Sequence, residues 1–319
     1  VSKPAEACLY RLFCIIQKFQ KDTVMKFDHV KGSIVAMVTP FNEDGSVNYD
    51  VLDRLIERQI AGGTAAILCL GTTAEYPTMT HDEDREVVRR TIERVDGRVP
   101  VIVGSGSNST ATQLEMSLRY QDMGADALLL ITPYYNKANP EGMYRHFATT
   151  ADAVHIPCIL YNVPGRTGCS IPVSVVERLA KHPNVCGIKE ASGNMSYAMQ
   201  IAHCLGPDFQ LWSGNDDITI PLMSIGGSGV ISVLANVAPA ETAAMVDDWL
   251  SGRHEDAARA QIRWLDLINH LFIEVNPIPV KTAMNMMGLN VGPLRLPLCE
   301  MTPEHREALR VSLKRAGLL

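Results

Sequence analysis

No CxxC pair and no dense cysteine framework occurs in this chain of 319 residues. Its eight cysteines, Cys8, Cys14, Cys69, Cys158, Cys169, Cys186, Cys204 and Cys299, are scattered, several of them in apolar runs. In a chain of this size that scatter describes reduced thiols and a cytosol-like, cytoplasmic setting. A surplus of positive charge is also missing. The 29 Lys+Arg against 35 Asp+Glu give a net charge of −6, with no basic cluster. That excludes nucleic acid as a partner. The apolar stretch near the N-terminus is too short and too interrupted to span a membrane, so no membrane association is expected. Histidine and cysteine do not fall at metal-ligand spacing, so no metal is expected. No glycine-rich dinucleotide fingerprint follows the first strand-like run, which disfavours a doubly wound nucleotide-binding sheet.

What the chain does have is a regular alternation. Strand-like apolar runs cover 32–40, 65–70, 99–103, 127–132, 157–162, 185–189, 209–213 and 229–233. Between them, segments with helical apolar spacing cover 49–60, 81–95, 111–123, 140–153, 173–181, 195–205 and 218–225. The strand runs are continuously apolar rather than alternating, the pattern of parallel strands covered on both faces. Eight strand–helix units in this order predict an α/β fold, a closed (β/α)8 TIM barrel. Further helical segments at 239–250, 254–272, 280–287 and 304–315 predict an additional C-terminal helical region. The expected organisation is an N-terminal extension over 1–24, a barrel over 25–237 and the helical region over 238–319. Residues 1–24 read as a dispensable extension, because Met25 stands shortly before the first clear strand. A chain beginning at Met25 that lost solubility or activity would overturn that reading.

In a barrel of this kind chemistry sits at the C-terminal ends of the strands. Five such ends are polar. They are Gly71-Thr72-Thr73-Ala74-Glu75, Thr132-Pro133-Tyr134-Tyr135-Asn136, Tyr161-Asn162-Val163-Pro164-Gly165-Arg166, Lys189-Glu190 and Ser213-Gly214-Asn215-Asp216-Asp217. Lys189 closes a buried-strand pattern, where an ammonium is seldom found without a partner or a task. Burial disfavours a charged amine, and a neutral amine attacks ketones and aldehydes to form a Schiff base. Each residue alone has a plainer use: a lysine reaching to solvent, threonines capping a helix, tyrosines packing, an arginine in a surface ion pair. Their recurrence at successive strand ends favours an active site.

These segments resemble the dihydrodipicolinate synthase and N-acetylneuraminate lyase family of pyruvate-dependent aldolases. The resemblance runs from about residue 32 to the C-terminus. It rests on Gly71-Thr72-Thr73-x-Glu75, Thr132-Pro133-Tyr134-Tyr135-Asn136, Tyr161-Asn162-Val163-Pro164-x-Arg166-Thr167-Gly168 and Gly187-Ile188-Lys189-Glu190. Gly229-Val230-Ile231-Ser232-Val233 and Asn276-Pro277-Ile278-Pro279-Val280-Lys281 extend it. The paired threonines and Arg166 resemble the synthase branch. By that resemblance Lys189 forms the Schiff base with pyruvate and Thr73, with Thr72, holds the pyruvate carboxylate. Tyr161 is the acid/base, in a relay completed by Thr72 and Tyr135. In the family the second tyrosine of the relay comes from a neighbouring subunit, so a dimer paired into a homotetramer is implied. Arg166 would bind the carboxylate of aspartate semialdehyde, and Gly214 and Ile231 would also contact substrate. No cofactor is implied, since the imine serves as the electron sink. The expected product is 4-hydroxy-tetrahydrodipicolinate. The alternative is a sister aldolase acting on a sugar acid or N-acetylneuraminate, which would not need Arg166.

Two departures from the family pattern matter. Ala74 stands where glycine is usual, and alanine would be strained if that position required positive φ. Of the residues that line the lysine-inhibition cleft in regulated members, His81, Asn108 and Tyr134 match, whereas Tyr76, Pro77, Asp84 and Thr112 differ. Thr112 replaces a glutamate that pairs with the ligand ammonium, so weak or absent lysine feedback is expected.

Overall fold

Eight parallel strands follow one another round a closed barrel in sequence order. They are β1 (Gly32–Ala36), β2 (Ala66–Cys69), β3 (Val101–Gly104), β4 (Ala127–Ile131), β5 (Cys158–Asn162), β6 (Val185–Glu190), β7 (Gln210–Ser213) and β8 (Gly229–Ser232). The computed structural model describes residues 30–319, and the extension expected over 1–24 lies outside the described residues. The (β/α)8 barrel expected from the alternation is the fold observed.

Alternate residues of each strand enter two different apolar clusters. Val35, Ile67, Leu128, Leu160, Ile188 and Leu211 face the surrounding helices. Ile34, Leu68, Ile102, Leu129, Trp212 and Ile231 fill the barrel interior. Both faces are dry, which explains why the strand sequences show no polar alternation. Closure depends on two glycines. Gly32 and Gly229 are partners across the β1–β8 seam. Both have positive φ, and a Cβ on Gly229 would lie 2.0 Å from the carbonyl oxygen of Gly32. Any side chain there would force the seam apart.

The covering helices are α1 (Tyr49–Ala61), α2 (His81–Val95), α3 (Thr110–Asp122), α4 (Pro140–Ala153), the single turn α5 (Pro164–Thr167), α6 (Val173–Leu179), α7 (Met195–Ile201), α8 (Thr219–Met223) and α9 (Pro239–Leu250). Several starts carry side-chain caps: Asn48 for α1, Ser109 for α3, Asn139 for α4 and Asn194 for α7. Thr80 and Glu83 form a capping box at α2. Helix α9 packs on β1 and α1, and α10 (His254–His270) packs on α9. Helices α11 (Ile278–Met286) and α12 (Pro303–Ala316) complete the C-terminal region.

The differences from expectation lie at element ends. Strand β2 stops at Cys69 because Leu70 turns left-handed, with φ of 52°. The helix expected over 195–205 is α7 followed by a 3-10 turn at Ala202–Cys204. Short 3-10 turns at Thr72–Ala74 and Tyr76–Thr78, and the single turn α5, occupy segments that none of the strand-like or helical runs covers. Turns this short leave no periodic signature.

Candidate active site

Strand register brings the first two site residues together. Ile188 faces the helices, so its neighbour Lys189 faces the barrel interior. Tyr161 lies directly across from it on β5, and Trp212 lies across on β7. Lys189 is only 6% exposed. Its Nζ sits over the Tyr161 ring, 4.5 Å from the centroid. A π-face is a favourable neighbour for an ammonium. The phenol is thus held beside the amine.

Gly214 leaves room for that lysine. A Cβ there would stand 3.1 Å from Lys189 Cε and 2.5 Å from the Ala191 Cβ. Just beyond it, the buried Asp216 accepts hydrogen bonds from the backbone amides of Val233 (2.9 Å) and Leu234 (3.0 Å) and from the Ser232 hydroxyl. Burial pushes this carboxyl up from its ordinary value. The Ser232 hydroxyl, the two amides and the Lys189 charge act in the opposite direction. Asp216 therefore ties the end of β7 to the end of β8, where Ile231 lines the interior. Glu190 is also buried and accepts from the Asn162 amide (2.6 Å) and the Ser192 amide (2.7 Å). Burial raises its carboxyl as well.

The paired threonines form a 3-10 turn at the end of β2. Left-handed residues bracket it: Leu70 at φ 52° and Glu75 at φ 57°. Ala74 is not among the positive-φ residues, so the strain considered for it falls on Glu75 instead. Thr72 and Tyr161 line one small cavity with Gly71, Tyr76 and Ile131. Thr73 is buried, and its Oγ1 accepts a hydrogen bond from the Asn276 side-chain amide at 3.0 Å. The backbone oxygen of the same Asn276 accepts from Arg166 Nη2, also at 3.0 Å. One residue from the C-terminal region therefore touches both the threonine turn and the arginine.

Tyr135 behaves differently. It is 92% exposed, with a left-handed φ of 70°. The other seven expected residues, Lys189, Tyr161, Thr72, Thr73, Arg166, Gly214 and Ile231, converge on the C-terminal rim and interior of the barrel. Tyr135 does not join them and stands exposed. Sequence reasoning gave no role to Asn276, Asp216 or Lys281. Each works through a contact more than ten residues distant, which spacing does not reveal. Among the described residues, no group of His, Cys, Asp and Glu side chains is arranged to hold a metal ion. No helix among them is long and apolar enough to cross a membrane.

The sequence profile of the Dihydrodipicolinate synthetase family matches residues 29–316. The chain belongs to that family. A 4-hydroxy-tetrahydrodipicolinate synthase of Thermoanaerobacter sp. (strain X514) is 52% identical over 290 residues, covering 91% of this chain and 97% of the relative. One from Clostridium perfringens (strain SM101 / Type A) is 49% identical over 289 residues, covering 91% of this chain and 99% of the relative. A solved family structure, the chloride-inhibited dihydrodipicolinate synthase from Acinetobacter baumannii complexed with pyruvate, superposes with a TM-score of 0.89. It is 41% identical and the match covers 91% of this chain and all of that one.

Proposed function

We propose that the protein condenses pyruvate with L-aspartate 4-semialdehyde through a Schiff base on Lys189, giving 4-hydroxy-tetrahydrodipicolinate on the diaminopimelate route to lysine. The observation that carries this reading is the buried Lys189 amine over the Tyr161 ring, inside a family whose relatives bear the synthase name. The neutral amine attacks the keto carbon of pyruvate, and water leaves to form the imine. The protonated imine withdraws electrons, so the pyruvate methyl loses a proton and an enamine forms. Tyr161, held beside the amine, moves the protons of these steps, with Thr72 on the shared cavity wall as its relay neighbour. The enamine carbon then attacks the aldehyde carbon of the second substrate. The amino group of that substrate displaces Lys189, closes the ring and frees the enzyme.

The two carboxylates need separate anchors. Thr73 Oγ1 already accepts from Asn276, which leaves its own hydrogen free to donate to the pyruvate carboxylate. Arg166 is exposed at the rim and tethered through one nitrogen, so the rest of its fork is free for the semialdehyde carboxylate. Tyr135 completes the relay in a second copy of the chain. An aromatic held out from the surface in a left-handed backbone supports that role, and with it a dimer that pairs into a tetramer.

Pyruvate consumption by purified protein, with and without aspartate semialdehyde, tests the reading. Semialdehyde-dependent consumption is expected. A protein that traps pyruvate on Lys189 under borohydride yet ignores the semialdehyde would instead be a sister aldolase.

A further inference from the structure

The threonine turn does not hold itself in place. It is a three-residue 3-10 turn between two non-glycine residues of positive φ, an arrangement that persists only where its surroundings impose it. The surroundings come from the far end of the chain. Lys281 on α11 donates from Nζ to Glu75 Oε1 at 2.8 Å, across 206 positions of sequence. The lysine side chain is 1% exposed and the glutamate side chain 0%. The second Nζ contact goes to the Pro293 carbonyl at 2.6 Å. Glu75 Oε2 accepts from the Arg295 backbone amide at 3.0 Å. The Arg295 guanidinium in turn bonds the carbonyls of Thr78 (3.0 Å) and Gly45 (2.9 Å) and the Glu83 carboxylate. Phe41 is sandwiched beside both cations, 4.3 Å from Lys281 Nζ and 4.2 Å from the Arg295 guanidinium carbon. With the Asn276 bond to Thr73, the stretch 276–295 grips the turn at its threonine, at its strained glutamate and at the following loop.

We infer that the Lys281–Glu75 ion pair is a positioning device for the Thr72–Thr73 turn, setting pyruvate affinity from the C-terminal region without touching substrate. A buried ion pair is weak evidence for stability, since a well-packed apolar pair of the same volume is often as good. Its place under a substrate-binding turn is better explained by geometry: it fixes the left-handed Glu75, which fixes where the two threonine hydroxyls point. The inference rests on the proposed role of those threonines as the pyruvate carboxylate anchor.

The test compares the native chain with Lys281→Met and Glu75→Gln. The half-saturating pyruvate concentration is read from borohydride trapping at Lys189. The KM for the semialdehyde and the melting temperature are measured alongside. Loss of the pair should raise the pyruvate half-saturation roughly tenfold or more, as a displacement of about an ångström can. The semialdehyde KM should stay within about threefold, because Arg166 is held by the Asn276 carbonyl and not by the pair. Glu75→Gln removes the charge at nearly unchanged volume and keeps one acceptor oxygen, enough for Lys281 or the Arg295 amide but not for both, so it carries the test alone if Lys281→Met does not fold. Folded variants with a lower melting temperature and native pyruvate half-saturation would show the pair to be structural only and overturn the inference. A native chain that forms no pyruvate adduct at all would instead defeat the proposed function itself, a distinguishable failure.

Discussion

The amine side and the threonine side of the site are built in opposite ways. Lys189 and Tyr161 stand on adjacent β-strands, and their meeting follows from strand register and the alternation of faces. Thr72, Thr73 and Arg166 stand on short turns contacted from more than a hundred residues away, Arg166 by Asn276 alone and the threonine turn by Asn276, Lys281 and Arg295. The proposed reacting pair is placed by the scaffold. The proposed anchors lie under a strap laid across it. The contrast suits the proposed tasks, since covalent chemistry needs reacting atoms held to fractions of an ångström.

The sharpest break in this contrast comes from the strand side. Lys189→Ala should abolish the borohydride-trapped pyruvate adduct, read by intact mass. Tyr161→Phe should still form some adduct but lose roughly 10²- to 10⁴-fold in kcat, the usual worth of a positioned acid/base. A Tyr161→Phe enzyme within about tenfold of native would move the proton-transfer role elsewhere.

On the turn side the expected losses are smaller and fall on binding. Arg166→Leu should raise the semialdehyde KM about tenfold to a hundredfold, the worth of a charged hydrogen bond, with pyruvate trapping unchanged. Full retention of activity on the native substrates would point to the sister-aldolase alternative.

A third effect is on stability rather than rate. Asp84, in the first turn of α2 just after the threonine turn, has one buried oxygen without a hydrogen-bond partner. The other lies 3.7 Å from His81 Nδ1. Burial raises the Asp84 carboxyl to about 6. An acid raised in the folded state favours folding while protonated, so its contribution is fully present below the ordinary carboxylate pKa. It is lost as pH rises through about 6. Asp84→Asn should therefore unfold at higher denaturant than the native chain at neutral pH, by about 1–3 kcal/mol. The advantage should vanish at acid pH. A pH-independent difference would show that folding does not raise the carboxyl's pKa.

The smallest expected effect is regulatory. With Thr112 where regulated members place a glutamate, lysine should inhibit weakly or not at all. Strong inhibition by submillimolar lysine in a steady-state assay would overturn this.

Much of this was legible in the sequence because strand and helix periodicities are local. The eight apolar runs found the eight strands, and the residue following each run located the rim. The motif Gly187-Ile188-Lys189-Glu190 sets Ile188 and Lys189 on opposite sides of the strand, but only the structure shows which side faces inward. The turns were not legible. Neither the 3-10 geometry at Thr72–Ala74 nor the left-handed Glu75 leaves a period in the sequence, and glycine usage suggested strain one residue too early, at Ala74.

By itself the sequence determined the barrel, the order of its strands and the lysine and tyrosine at the strand ends, because burial on both faces of a parallel strand writes itself into consecutive residues. Only the tertiary structure decided that Asn276 bonds both Thr73 and Arg166, that Lys281 pairs with Glu75 beneath the turn, and that Tyr135 stands exposed. Those outcomes are contacts between segments distant in the chain, and such contacts are set by how the C-terminal stretch packs on the rim rather than by any pattern within it.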